Sequence, residues 1–187
     1  MFRTMAIALS VALLAFVAGC SSGSSSHAAA GGAGVSSAVA RASASTTCPA
    51  KSTKKAAKTL FVVDAGVAAG AFKKWIYSPW KAGAFKKGTK GRIKAMVKAA
   101  VAGAFVVNRL KAAKVNAQSD PLLCKLTIGP ITKLTSSIQG LVGKAKTGRL
   151  NPADVGDSSS LLDQFKSASS GAGAPVKDQN ATVPGLG

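Results

Sequence analysis

Between residues 48 and 166 the apolar positions of this chain recur at helical intervals. Phased at about 100° per residue, Leu123, Cys124, Thr127, Ile131, Leu134, Ile138, Leu141, Val142 and Ala145 gather on one face. Lys125, Thr132, Ser136, Gln139 and Gly143 fall opposite, so the pattern predicts an amphipathic helix over 122–145. Ser119-Asp120-Pro121 supplies its start, a capping side chain ahead of a first-turn proline. Gly129-Pro130 is expected to kink it, because Pro130 cannot donate to the carbonyl of Leu126.

A second helix is predicted over 89–116, with Ile93, Met96, Val97, Ala100, Ala104 and Val107 as its buried stripe. Lys94, Lys98 and Arg109 line another side of it, with Phe105 among them. Upstream, 52–77 reads as a helix of another kind. Its middle, LFVVDAGVAAGAF, is apolar all round except at Asp64, and its lysines crowd the two ends. Such a segment needs burial on every side. It falls short of the roughly 20 residues that span a bilayer, so a central bundle helix is expected, with Asp64 paired to a lysine such as Lys98. Ser78-Pro79 should end that helix. Asn151-Pro152-Ala153-Asp154 marks one more helix start, followed by a short apolar edge at Leu161, Leu162 and Phe165. The expected fold is all-α, a small bundle of three to four helices over 48–166, with a polar, disordered tail over 167–187.

Charge changes this picture most. Of 187 residues, 25 are Lys or Arg and six are acidic, a formal net charge of +19. From Cys48 to Leu150 there are 21 cations and only two carboxylates, Asp64 and Asp120. Lysines far outnumber arginines, and ammonium groups act as diffuse point charges, not as bidentate forks. Loose attraction to a polyanion follows more naturally than recognition of a single phosphate. Within the cationic segment, Trp75, Tyr77 and Trp80 are interleaved with Lys73, Lys74, Lys81, Lys86 and Lys87, and Lys94 and Lys98 follow on the next helix. Amphipathic rings beside lysines suit a membrane–water interface, or stacking over an anionic backbone. The plainer alternative is a hinge whose tryptophans plug the end of the bundle. These ten residues are the candidate anion-binding set.

The N-terminus supplies an address. One cation, Arg3, precedes an uncharged apolar tract from Met5 to Val17, the length of a secretory core and too short for a spanning helix. Val17-Ala18-Gly19-Cys20 then resembles the lipobox of bacterial lipoproteins, and a Ser/Gly/Ala tract follows it. The resemblance covers residues 1–20 alone. It implies a signal peptide over 1–19, lipidation (diacylglycerol with a palmitate-type acyl chain) at Cys20, and residence on the extracytoplasmic face of a cell membrane. Residues 20–47 would form a flexible tether, because such a composition cannot bury enough surface to offset chain entropy. Export to an oxidising compartment, with Cys20 acylated, leaves Cys48 and Cys124 as an even pair. A Cys48–Cys124 disulfide is the economical inference, and two buried free thiols are the alternative.

Candidate chemistry is sparse. The single histidine, His27, lies in the tether, and no glutamate is present. General acid–base catalysis enlists His, Glu or paired Asp, and two cysteines without such neighbours make no zinc set. No phosphate-binding loop or dinucleotide fingerprint occurs. A non-enzyme is expected, without cofactor, metal or evident small-molecule substrate. It would be a membrane-anchored envelope module that binds anionic envelope polymers or phospholipid headgroups. The alternative is a helical hairpin that inserts into or perturbs lipid. Extracellular nucleic acid ranks lower as a partner, since such charge attracts DNA whether or not biology uses it.

Overall fold

The computed structural model describes residues 47–186. The readings made for the leader, Cys20 and the tether up to residue 46 lie outside the described residues. Four long helices build the domain: α1 (Ala57–Phe72), α3 (Arg92–Ala117), α4 (Pro121–Lys146) and α5 (Pro152–Gly171). A short helix, α2 (Ser78–Lys81), follows α1 through a wide π-helical turn at Lys73–Tyr77. Among the described residues there is no strand. The all-α bundle with one disulfide read from the sequence is the fold observed.

Helix α4 follows its periodicity closely. Leu123, Cys124, Thr127, Ile131, Leu134, Ile138, Leu141 and Ala145 are buried, and Ile128 joins them. The Asp120 carboxylate caps the helix, accepting from the N–H groups of Leu122 (3.1 Å) and Leu123 (3.0 Å). The helix is continuous through Pro130. Asn151 and Asp154 form a reciprocal capping box at the start of α5, and α5 extends well beyond the short edge expected of it.

The packing order is α1 on α3, α3 on α4 and α4 on α5. Small residues let the helices approach: a Cβ on Gly103 of α3 would stand 2.5 Å from a methyl of Val142 on α4. A hydrogen bond of 2.7 Å joins the hydroxyls of Ser137 and Ser158 across α4 and α5. Between α1 and α5 the rings of Phe61 and Phe165 meet edge to face, 5.9 Å apart, and both side chains are fully buried.

The C-terminal segment departs from expectation. Helix α5 runs to Gly171, and the chain beyond it is an extended strap, not a free tail. Ala172, Ala174 and Val176, then Ala181 and Val183, are buried at alternate positions, and Leu186 is buried too. The Gln179 N–H donates to the carbonyl of Gly66 on α1 at 3.0 Å. Asp178 pairs with Lys166 of α5 and, at 3.3 Å, with Lys73 at the end of α1. Two glycines admit the strap: a Cβ on Gly66 would come within 2.7 Å of the Lys177 carbonyl oxygen, and one on Gly70 would land on that of Gln179. The strap covers a second side of α1 beyond that packed on α3, but Leu60 (40%) and Val63 (45%) stay exposed, so the burial on every side expected of this helix is met only in part.

Two further expectations are corrected. Ser78-Pro79 does not end the first helical path. The widened turn carries the chain past the proline, with the Ser78 N–H reaching the Lys73 carbonyl and its hydroxyl bonding the same oxygen at 2.8 Å. Asp64 is met by Arg109 (3.3 Å) and the Asn116 amide (3.1 Å), not by Lys98, and Lys54 in turn donates to Asn116 at 2.8 Å. At the domain's entry, Cys48 and Cys124 are joined by a disulfide, and Ser52 bonds Asp120. The segment before α1 is thus fastened to the corner between α3 and α4.

Candidate anion-binding surface

None of the 23 Lys and Arg side chains among the described residues is buried. Ion pairs with Asp64, Asp154 and Asp178 engage Lys73, Arg109, Lys144 and Lys166. Asp120 is spent on capping α4 and bonding Ser52. Of the others, Arg92 is half-buried and Lys54 bonds Asn116, while most of the remaining ammonium groups face solvent.

The ten residues singled out from the sequence fall into three groups. At the centre, the half-buried ring of Trp75 has the Lys74 ammonium 5.0 Å from its centroid and that of Lys98, from α3, at 5.4 Å. Both lie within the range of cation–π attraction. Two ammonium groups at one indole concentrate positive charge there, which favours an anion nearby. The indole Nε1 is buried without a hydrogen-bond partner, so the ring packs as an apolar body and leaves its donor unused. Beside it, Tyr77 and Trp80 stack at 5.3 Å in a tilted pair, with Lys81 5.9 Å from the Trp80 ring. Trp80, Lys81 and Lys86 share a cleft of about 290 Å³ with Gly83, Phe85 and Pro152. Lys87 is exposed on the same loop.

The other two groups consist of one lysine each. Lys73 is turned to the strap by Asp178. Lys94 stands exposed on α3 next to Ile93, where it borders a different surface. The hinge reading is also met in part, since Trp75, Tyr77 and Trp80 are half-buried against the core. The loop carrying Lys86 and Lys87 is held by Arg92, which donates to the carbonyls of Phe85 (3.0 Å) and Gly148 (3.1 Å). Gly148 adopts φ 69°, a left-handed conformation suited to glycine, at the turn after α4.

One surface escaped the sequence reading. The stripe on α3 is rotated from its expected phase: Met96, Ala100 and Val107 are buried, whereas Ile93 is 67% exposed and Val97 58%, and Ala104 is exposed as well. Ala99, Ala102, Gly103, Val106 and Leu110 take the inward positions instead. Ile93, Val97 and Val101 thus edge a groove of about 550 Å³ between α3 and the end of α4, floored by Met96, Ala100 and Ala145. Small residues fit the close helix contacts better than the larger ones do. The signal in the sequence was the run of Ala and Gly at 99, 102, 103 and 113.

Two carboxyls have perturbed acidity. Burial works against the charge of Asp120, but the Leu123 N–H, the Ser52 hydroxyl, the Lys58 ammonium and the Leu122 N–H outweigh it and hold the carboxyl below its ordinary range. Burial likewise opposes ionisation of Asp178, and Lys166 and Lys73 together hold its carboxyl low. Asp178 shares a cleft of about 210 Å³ with a second acid, Asp163, together with Lys73, Tyr77 and Lys166. Among the described residues no cluster of three or more His, Cys, Asp or Glu is arranged to hold a metal. No helix among them is long and apolar enough to cross a membrane.

The fold and surface define a small disulfide-linked helical bundle with an uncompensated cationic exterior. Comparison with family models, curated proteins and solved structures gave no match to the chain.

Proposed function

We propose that this chain is a lipid-anchored module of the bacterial cell envelope whose helical domain binds phosphate-bearing polyanions, either envelope polymers or phospholipid headgroups, without catalysis. The single observation that carries this reading is the Lys74–Trp75–Lys98 arrangement, two exposed or half-exposed ammonium groups on one ring amid cations that no carboxylate answers. The address rests on the lipobox resemblance at Val17–Cys20. A Ser/Gly-rich tether from Cys20 to Thr47 would reach about 30 Å on average, which lets the domain meet surfaces near its own anchor. The screening length of about 8 Å at physiological ionic strength lies well inside that reach.

The test uses the full chain in neutral detergent micelles and a poly(glycerol phosphate) of defined length. Lys74→Gln combined with Lys98→Gln should weaken binding about tenfold at low salt and leave the thermal midpoint in place. Lys125→Gln combined with Lys133→Gln, on α4, removes the same charge elsewhere and should cost far less. Equal losses from the two pairs would contradict the site, and absence of binding by the parent chain would contradict the function.

A further inference from the structure

The groove between α3 and α4 has a composition that a water-soluble polymer does not use. Ile93, Val97 and Val101 project from it into solvent, and its floor of Met96, Ala100 and Ala145 is apolar. Apolar side chains left exposed in a line stabilise the protein only once something apolar covers them. Cations border it: Lys146 lines the groove, and Lys90 and Lys94 are exposed near Ile93 in the sequence. No acidic residue lines it. A second copy of the chain seated on this face would bring cations against cations, so the charge selects a negatively charged occupant. A leaflet of anionic lipid offers hydrocarbon and negative headgroups together, which suits apolar side chains bordered by ammonium groups.

We propose that the Ile93–Val97–Val101 face of α3 docks on an anionic phospholipid leaflet, sinking its apolar side chains to the level of the acyl boundary while Lys90, Lys94 and Lys146 engage the headgroups. The inference rests on the polyanion reading above and narrows its partner to a membrane surface. The domain lies on the leaflet and does not cross it, in keeping with the lack of any described helix able to span a membrane.

The experiment places a reporter on the face of the full chain reconstituted on vesicles, so the result does not depend on how the chain is held there. Val97→Trp is compared with Leu126→Trp, an exposed position on α4 beside Gly171 of α5. The vesicles contain phosphatidylcholine brominated near the headgroup, with or without phosphatidylglycerol. Val97→Trp emission should be quenched at least twofold more than that of Leu126→Trp, and only when phosphatidylglycerol is present. Adding Ile93→Ser and Val101→Ser should abolish the difference. Both are exposed positions, and an unchanged unfolding midpoint shows that the fold survives. Equal quenching at the two reporters, or none, overturns the proposal. So does a chain that sediments as a dimer and becomes monomeric on Ile93→Ser. If poly(glycerol phosphate) still binds while Val97→Trp stays unquenched, the membrane docking falls and the polyanion reading stands. If neither is seen, both fall.

Discussion

Replacing Gly70 with alanine sets the first helix against the C-terminal strap. In an open helix interior this change gains about 1 kcal/mol, because alanine loses less backbone freedom on folding than glycine does. Gly70 is not open. Its new Cβ would land on the Gln179 carbonyl oxygen, and a backbone atom cannot swing away as the end of a side chain can. Overpacking of this kind costs about 1–3 kcal/mol, sometimes more. If the strap lifts instead, the burial of Val176, Val183 and Leu186 goes with it. Each such side chain contributes about 1.5–3 kcal/mol, partly offset by the entropy the released strap regains. By either route the variant should lose about 2 kcal/mol. Gly140 on α4 is the matched control, since nothing lies within 4 Å of a Cβ there, and Gly140→Ala should gain about 1 kcal/mol. Urea unfolding reads both changes, and amide exchange at Gln179 reads the strap itself through its bond to Gly66. Gly70→Ala with parental stability and a still-protected Gln179 amide would refute the strap's placement on α1.

Asp120→Ala should destabilise the domain by about 1–2 kcal/mol, measured by denaturant unfolding, because α4 loses its cap and Ser52 its partner. Reducing the Cys48–Cys124 bridge, which closes a loop with a sequence separation of 76, should cost about 4–5 kcal/mol, seen as a lower thermal midpoint in reductant. The folded state holds the pKa of Asp120 and of Asp178 below the unfolded value, so their stabilisation is complete above the unfolded carboxylate value of about 3.9 and is lost as pH falls through the folded values. The unfolding midpoint should therefore hold steady from neutral pH to about pH 5 and drop below about pH 4, and Asp178→Asn should flatten part of that drop.

How legible each part was followed from how strongly its residues speak. Helix α4 was clear because Leu and Ile make up most of its buried face, and Asp120 and Pro121 mark its start. Helix α3 was legible as a helix but not in its rotation. There the inward positions belong to Ala99, Ala102, Gly103 and Ala113, whose value lies in close approach, while Ile93 and Val97 face outward. Hydrophobicity ranks those residues in the opposite order. The strap was read as a tail because Pro, Gly and polar residues dominate 167–187, although Ala172, Ala174 and Val176 alternate in the period of an extended segment. Gly66 and Gly70 were its complementary signal, four residues apart on the face that receives it. The Trp75–Trp80 elbow was found by composition. That Lys98 and not Lys73 would share Trp75 with Lys74 depended on how α3 lies against the turn after α1, which no local pattern encodes.

The most direct test of the uncompensated cationic surface is the salt dependence of the full chain's affinity for poly(glycerol phosphate). Four cations contacting phosphate, as Lys74, Lys81, Lys86 and Lys98 are placed to do, would give log K against log salt a slope of about −3, by analogy with single-stranded polyanions. A linear fall of that steepness is the expected result. Affinity that stays level as salt rises, or no affinity at low salt, would contradict it.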